Sequence, residues 1–186
     1  RGGYGETYSA IDTNTNKTVV IKILNDIHRS KPNFEQQQDN FVKEAFRLAK
    51  CSHPHIVKVH DVIKEGRLWG MVMEYIKGQD LAEYVKQKGK LSEVEALKYI
   101  NQVGTALEYV HQQGMLHRDV NPRNIMLREN QQEAVLIDFG TAREFNPEKT
   151  GSMTNAKTLG YAPIEQYERH GKFGPYTDVY ALAATL

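Results

Sequence analysis

Three side chains within residues 117–140 have types and spacing that suit phosphate chemistry. The run HRDVNPRNIML supplies a carboxylate at Asp119 and an amide at Asn124, and a second carboxylate, Asp138, follows the apolar run AVLI. Carboxylate and amide oxygens are the hard ligands that Mg²⁺ prefers. Cations are needed because a transferred phosphoryl group carries several negatively charged oxygens. We therefore predict that these three residues take part in phosphate chemistry.

Short apolar runs must hold these polar residues in place. Residues 125–127 directly follow Asn124 and are predicted to anchor the polar loop by packing. Residues 134–137 read as a buried strand that delivers Asp138 at its end. Gly140 permits a sharp change of backbone direction just after the carboxylate.

HRDVNPRN and the later IDFG together resemble the catalytic loop and the metal-binding DFG element of the protein kinases. The resemblance implies that Asp119 orients the substrate hydroxyl, and that Asn124 and Asp138 hold the Mg²⁺ ions that bridge the ATP phosphates. Asn121 departs from the pattern, because serine/threonine kinases usually have a lysine there that contacts the transferring phosphate. Asparagine keeps a hydrogen-bond donor but loses the charge. We therefore expect Arg123 to substitute in part and the rate to be lower.

The strand TVVIKIL contains a single charged residue, Lys22, which needs a polar partner. An edge-strand lysine that faces water is the alternative. VVIK resembles the kinase motif whose lysine contacts the α- and β-phosphates, and this makes Lys22 a catalytic residue paired with Glu44. Glu44 lies on a helix that the apolar spacing predicts over residues 41–50, and Glu35 is a less favoured partner.

The chain opens on RGGYGETYSAI, which resembles most of the glycine-rich loop of the kinases. Glycine lets backbone N–H groups approach phosphates closely, although glycine-rich hairpins are common by themselves. VMEYIKGQDL resembles the kinase hinge that meets the adenine edge, and a strand that ends in a glycine turn would look the same. The nucleotide-binding residues that the resemblance implies are Gly2, Gly3, Tyr4, Gly5, Thr7, Val20, Lys22, Met73, Glu74, Ile76, Asp80 and Met126.

Residues 141–157 correspond to the kinase activation segment and are polar without periodicity, which predicts a mobile loop. A phosphate on one of its hydroxyls would pair with Arg118 and order the loop, and an unmodified loop is the alternative. The same resemblance implies that His117 packs under Phe139 and that Asp178 hydrogen-bonds the backbone of the catalytic loop. The candidate phosphate acceptors are Thr150, Ser152, Thr154 and Thr158.

Three histidines lie close together at His53, His55 and His60 and invite a zinc interpretation. The segment also matches the kinase H-P-x-I-V entry into a strand. We therefore expect these histidines to be structural.

Composition is ordinary for a soluble globular protein, with 186 residues, 40% hydrophobic and 25% charged. The net charge of +1 gives no reason to expect a nucleic-acid or membrane-surface partner. The single cysteine, Cys51, excludes an internal disulfide and fits a reducing compartment, and no apolar run approaches a membrane span. We expect a cytoplasmic domain, with any membrane anchor of the parent protein outside this segment.

The resemblance covers essentially the whole chain and implies an α+β, two-lobed protein kinase fold that is cut at both ends. Residues 1–76 would form a β-rich N-lobe with one main helix, and residues 77–186 a partial, mainly helical C-lobe. Helices that normally cover the lower lobe would be missing, so we expect exposed apolar surface and poor solubility.

The implied function is transfer of the ATP γ-phosphoryl group to Ser or Thr hydroxyls of proteins, including those of the chain's own activation segment. Thr158 and Pro122 favour Ser/Thr over Tyr acceptors. One alternative is a catalytically weak or inactive pseudokinase that acts as a regulatory module. Asn121 keeps it open, as do Pro163, Ile164 and Glu165, which replace the A-P-E motif of the family. The other is a small-molecule phosphotransferase of related fold, which the long hydroxyl-bearing activation segment disfavours.

Overall fold

The computed structural model describes residues 5–24, 34–130, 133–139, 143–144, 158–168 and 170–186. It divides into two compact units. The N-terminal unit consists of Arg1–Ser52 and Val57–Tyr75, and the C-terminal unit consists of His53–Ile56 and Ile76–Leu186. The short segment His53–Ile56 therefore belongs with the later part of the chain, which the sequence did not indicate. Among the described residues, no helix combines the length and apolar character needed to cross a membrane.

The N-terminal unit is built on a four-stranded antiparallel sheet in the order β1-β2-β4-β3. Its strands are β1 (Gly5–Asp12), β2 (Lys17–Leu24), β3 (Val59–Glu65) and β4 (Leu68–Glu74). The turn between β1 and β2, residues 13–16, is polar. Asp12 stabilises it by accepting hydrogen bonds from the Asn14 N–H at 2.9 Å and the Thr15 hydroxyl at 2.6 Å.

Helix α1 (Phe34–Ala49) packs on β3 and β4 and begins earlier than the apolar spacing predicted. The prediction of a helix over residues 41–50 was wrong about the start, because the first two turns are polar. Gln38 explains part of the difference, since this buried side chain accepts a hydrogen bond from the Trp69 N–H at 2.9 Å. Glutamine is usually found on the surface, but Gln38 is buried because its side chain satisfies a backbone N–H of β4.

The C-terminal unit is mainly helical, as expected. Its helices are α2 (Leu81–Lys88), α3 (Glu93–Gln112) and α4 (Pro175–Thr185). Short strands β5 (Gly78–Asp80), β7 (Ile125–Arg128) and β8 (Ala134–Leu136) form one sheet, and β6 (Met115–Leu116) pairs with β9 (Arg143–Glu144). The β9 pairing corrects the prediction of an irregular loop at that point of the activation segment.

Two of the three clustered histidines, His53 and His55, make contacts within the C-terminal unit. The His55 carbonyl accepts the Leu136 N–H at 2.9 Å, and the His55 Nδ1 lies 2.8 Å from the Ala134 carbonyl oxygen. The His53 Nδ1 accepts the His55 N–H at 3.2 Å. Residues 53–56 thus extend the β7–β8 sheet. No group of three or more His, Cys, Asp or Glu side chains that could hold a metal occurs among the described residues.

Apolar side chains remain exposed along α4 and the segment before it, as the sequence predicted. Val179 and Tyr180 are more than half exposed, and Ile164 is 76% exposed. The opposite face of α4 buries Thr177, Asp178 and Ala181. The helix therefore faces both the protein interior and solvent.

An ion pair joins α2 to the first turns of α3. The Lys88 ammonium donates to both Glu95 carboxylate oxygens at 2.8 and 2.7 Å, and to the Tyr84 hydroxyl at 2.9 Å. The Tyr84 hydroxyl in turn donates to Glu95 at 2.7 Å. Burial raises the pKa of the nearby Tyr99 to about 12, so its hydroxyl stays protonated at neutral pH.

Hydrogen bonds from Lys88 first, and then from Tyr84, lower the pKa of the Glu95 carboxyl below its ordinary 4.5. A carboxyl with a lowered pKa contributes stability above its unfolded-state value, and the contribution is lost as the pH falls through the folded-state value. We therefore expect Glu95→Gln to lower the Tm at pH 7, and the deficit to shrink below about pH 4.5. Thermal unfolding across this range tests the prediction, with the exposed Glu108→Gln as control. A deficit that does not change with pH would contradict it.

Candidate active site

The backbone of the predicted catalytic loop is held by a buried carboxylate on α4. Asp178 is fully buried and accepts the His117 N–H at 2.8 Å and the Arg118 N–H at 2.6 Å. The His111 Nε2 lies 2.8 Å from the same carboxylate. The role that the resemblance gave to Asp178 is therefore confirmed.

The Asp119 carboxylate is surrounded by neutral hydrogen-bond donors. The Asn124 amide nitrogen donates to Oδ2 at 3.0 Å and to the Asp119 carbonyl at 2.8 Å. The Asn121 amide nitrogen donates to Oδ1 at 3.2 Å and to the same carbonyl at 3.0 Å. The Thr158 hydroxyl donates to Oδ1 at 2.6 Å. These contacts fix the direction of a partly exposed carboxylate, and all three donor groups are uncharged.

Asn121 serves the loop rather than an open phosphate position. It is 3% exposed, and its Oδ1 accepts the Arg123 N–H at 3.0 Å, which caps the 3₁₀ turn Pro122–Asn124. Its amide nitrogen is directed at Asp119 and lies 3.5 Å from the Thr158 hydroxyl. The side chain of Arg123 is exposed. The Asn121 amide nitrogen, which the sequence suggested as a donor to the transferring phosphate, is therefore engaged with the catalytic loop.

Asn124 and Asp138 are brought together by strand pairing. Ile125 pairs with Leu136, and the Ile137 N–H donates to the Asn124 carbonyl at 2.9 Å. Asp138 follows directly with a left-handed backbone, φ 59°. Such a conformation is strained for a residue other than glycine and is common at functional sites.

The donor set fits Mg²⁺. Because the Asn124 nitrogen donates to Asp119, its side-chain oxygen must lie at the other end of the amide, where it can serve as a ligand. Mg²⁺ is commonly held by one or two protein carboxylates and completed by phosphate oxygens and water. Asn124 and Asp138 would therefore hold the ion, and the ion would neutralise phosphate charge.

His117 connects the catalytic loop to the strand that carries Asp138. Its Nδ1 accepts the Asp119 N–H at 3.2 Å, so the proton of the neutral ring lies on Nε2, which donates to the Ile137 carbonyl at 2.9 Å. Its ring meets Phe139 edge-on with a centroid distance of 4.6 Å. The predicted packing of His117 against Phe139 is confirmed.

Lys22 lies inside the sheet of the N-terminal unit. It is 6% exposed on β2, which pairs with β1 and β4, and this excludes the edge-strand alternative. Its direct cross-strand neighbours are Thr7 and Met71. Val20 is two residues away along β2 and pairs with Met73. Because side chains alternate along a strand, the predicted nucleotide-binding residues Thr7, Val20, Lys22 and Met73 share one face of the sheet.

Other predicted residues of the N-terminal unit are placed as follows. Gly5 closely approaches Lys22, since a Cβ on Gly5 would lie 3.3 Å from Lys22 Cε and 2.8 Å from the Ile23 carbonyl oxygen. Glu44 is half-buried on α1, whereas Glu35 is exposed in the first turn, which favours Glu44 as the partner of Lys22. Gly2, Gly3 and Tyr4 lie outside the described residues.

The predicted hinge residues carry structural contacts. In the N-terminal unit, the Glu74 N–H donates to the Lys58 carbonyl at 2.9 Å, so this group is engaged within the sheet. In the C-terminal unit, Ile76 is buried, and Asp80 pairs with Met126 across β5 and β7. Asp80 also caps α2 by accepting the Glu83 N–H at 2.9 Å. This contact gives Asp80 a structural role beside the predicted ribose or substrate contact.

Sequence reasoning missed two contacts of the catalytic loop. Thr158 was expected as a phosphate acceptor, but its hydroxyl donates to Asp119, and Thr150, Ser152 and Thr154 lie outside the described residues. Gln166 is 4% exposed, and its side-chain nitrogen donates to the Arg118 carbonyl at 2.8 Å. The only signal for either contact was its place in or beside the segment that resembles the kinase A-P-E motif.

Comparison with known proteins identifies the class to which this fold and site belong. The family model described as "Protein kinase domain" matches residues 1–186. The chain therefore belongs to the protein kinase domain family, which confirms the resemblance and the α+β kinase fold.

The most similar relatives include bacterial and plant kinases. The chain is 34% identical over 189 residues to "Serine/threonine-protein kinase PknE" of Mycobacterium bovis, covering 100% of this chain and 32% of that protein. It is 30% identical over 198 residues to "Serine/threonine-protein kinase B" of Synechocystis sp., covering 100% and 34%. It is also 30% identical over 188 residues to "CBL-interacting protein kinase 15" of Oryza sativa subsp. japonica, covering 100% and 42%. The chain thus spans less than half the length of these curated relatives.

Asp178→Asn should strongly destabilise the C-terminal unit. The new amide has only one oxygen, so it can accept only one of the backbone N–H groups of His117 and Arg118, and its nitrogen faces the other buried donor. We expect a loss of about 3 kcal/mol in the free energy of unfolding. Urea unfolding measures this, with the exposed Asp39→Asn as the matched control. Equal stability of the two variants would contradict the assignment.

Proposed function

We propose that the protein transfers the γ-phosphoryl group of ATP to Ser or Thr hydroxyls of proteins. The observation that carries the proposal is the Asp119 carboxylate, which is held in one direction by Asn121, Asn124 and Thr158. An acceptor oxygen of fixed orientation can position an attacking hydroxyl and receive its proton. The named Ser/Thr kinases among the relatives support the acceptor class.

The remaining roles are assigned to residues of both units. Asn124 and Asp138 would hold Mg²⁺, which supplies charge neutralisation for the phosphates. Lys22 would contact the α- and β-phosphates, with Glu44 as the residue that keeps its ammonium in place. Thr7, Val20 and Met73 share the face of the sheet with Lys22 and would contact the nucleotide base. These assignments use residues that the structure describes.

A second candidate is a catalytically weak or inactive kinase that serves as a regulatory module. The observation that favours it is the engagement of Asn121, whose amide contacts Asp119 and Thr158 where a lysine would bring a positive charge. Loss of that charge removes stabilisation of the phosphate oxygens during transfer.

Phosphate mapping of the protein with Mg²⁺ and ATP separates the two candidates. We expect phosphate on Ser and Thr of a generic protein substrate or of the activation segment, and none when Asp119 is replaced by Asn. Asp39→Asn, an exposed change on α1, should behave as the parent. Phosphate on tyrosine would overturn the acceptor class. If neither the parent nor Asp119→Asn transfers phosphate, and both still bind ATP, the regulatory module is favoured.

Asn121→Lys should raise the rate and lower the stability of the same molecule. A lysine restores the positive charge near the transferring phosphate, whereas it removes the cap on the Arg123 N–H. We expect kcat to rise about tenfold and the free energy of unfolding to fall by about 1 kcal/mol. Steady-state kinetics and urea unfolding measure the two effects.

The contribution of Arg123 can be read from the same pair of proteins. If the exposed guanidinium of Arg123 substitutes for the missing lysine at position 121, Arg123→Gln lowers kcat in the parent. The same change has little effect on kcat in a protein that already carries Asn121→Lys. Arg67→Gln, another exposed arginine, serves as control. An unchanged or lower rate in Asn121→Lys would refute the idea that the missing charge limits the reaction.

A further inference from the structure

We propose that Gln166 is a positioning residue for Asp119, which it holds through the backbone of Arg118. The inference rests on the proposed function, because it takes Asp119 as the group that orients the acceptor hydroxyl. Gln166 lies outside the residues that the kinase motifs implied as catalytic or nucleotide-binding. Its contact reaches the peptide that leads directly into Asp119.

The first observation is the strained backbone at Arg118. This residue has φ 69°, in the left-handed region that side chains other than glycine rarely adopt. Such a conformation persists only where the surroundings hold it. A change of this torsion would turn the following peptide and with it the Asp119 side chain.

The second observation is that side chains fix the peptide groups on both sides of Arg118. Before it, the Arg118 N–H donates to Asp178 at 2.6 Å. After it, the peptide between Arg118 and Asp119 is held at both polar atoms. Its oxygen accepts from Gln166 at 2.8 Å, and its N–H donates to the His117 Nδ1 at 3.2 Å. Gln166 thus controls one end of the peptide plane from which Asp119 projects.

The third observation is that Gln166 is itself firmly placed. It ends the 3₁₀ turn Ile164–Gln166, and its N–H donates to the Pro163 carbonyl at 3.0 Å. The neighbouring Glu165 accepts the Thr177 hydroxyl at 2.8 Å. A Cβ on Gly171 would lie 1.9 Å from the Glu165 carbonyl oxygen, so the chain can pass there only with glycine.

These contacts join Gln166 to the helix that also carries Asp178. Thr177 and Asp178 are consecutive in the first turn of α4. The carbonyl of Arg118 is held by Gln166 and its N–H by Asp178. Both of these side chains are therefore connected to α4. A shift of either one would strain the other, so the two contacts act together on the loop.

The alternative is that Gln166 merely satisfies a buried carbonyl and has no effect on the geometry of Asp119. A structural role of this kind lowers stability and the folded fraction. It leaves kcat per folded molecule unchanged. A positioning role lowers kcat more than the KM for ATP, because Asp119 acts on the acceptor hydroxyl.

The test uses Gln166→Met, which keeps most of the volume and removes the donor, and Gln166→Glu, which keeps the shape but cannot donate when ionised. Both are made in the full-length protein. We expect kcat per folded molecule to fall about 10- to 100-fold, with the KM for ATP changed less than about threefold. Gln113→Met, an exposed glutamine after α3, is the matched control. Wild-type kcat in both folded Gln166 variants would overturn the proposal.

Amide hydrogen exchange gives a second readout that does not require activity. We expect faster exchange at residues 117–121 in Gln166→Met, and unchanged exchange in β1–β4. If the parent transfers no phosphate, the proposed function fails, and exchange still decides whether Gln166 holds the loop. Equal exchange in this segment of parent and variant would overturn the proposal whatever the activity.

Discussion

The buried carboxylate of Asp178 is the interaction on which the geometry of the catalytic loop depends. It accepts two successive backbone N–H groups and contacts a histidine, all in a fully buried position. A carboxylate in such a place is stabilised only when donors use its lone pairs. The loop supplies two of those donors in the conformation observed, so the burial of Asp178 and the shape of the loop depend on each other. The sharp turn at Arg118 is a consequence of this coupling.

The loop that results presents one charged group and surrounds it with neutral donors. Two amide nitrogens and a hydroxyl point at Asp119 and fix the direction of its carboxylate. A lysine at position 121 would add charge and could reach a phosphate. Asparagine instead caps the turn that leads to Asn124. The chain therefore has a well-ordered carboxylate at Asp119 and a weaker electrostatic contribution beside it. This is why replacing Asn121 by lysine should change the rate and the stability in opposite directions.

Local motifs indicated which polar side chains would lie near one another, because the chemistry needs particular side chains at short spacings. Asn124 and Asp138 follow this rule, since pairing of the strands on either side of a short connection places them together. Lys22 was harder, because whether a strand is interior or at an edge depends on sheet order, and sheet order is a tertiary property. The polar start of α1 was missed for the same kind of reason. Gln38 serves a backbone donor in a distant strand, and no periodicity reveals such a partner.

The contacts of Thr158 and Gln166 show where sequence reasoning stops. They join the catalytic loop to residues that lie 39 and 48 positions further along the chain, through a hydroxyl or an amide that would be unremarkable on a surface. The two contacts matter because the segment, α4 and the catalytic loop are connected to one another. Glu165 bonds Thr177 of α4, and Asp178 of α4 holds the loop. A displacement of this segment is therefore felt at Asp119 through backbone groups.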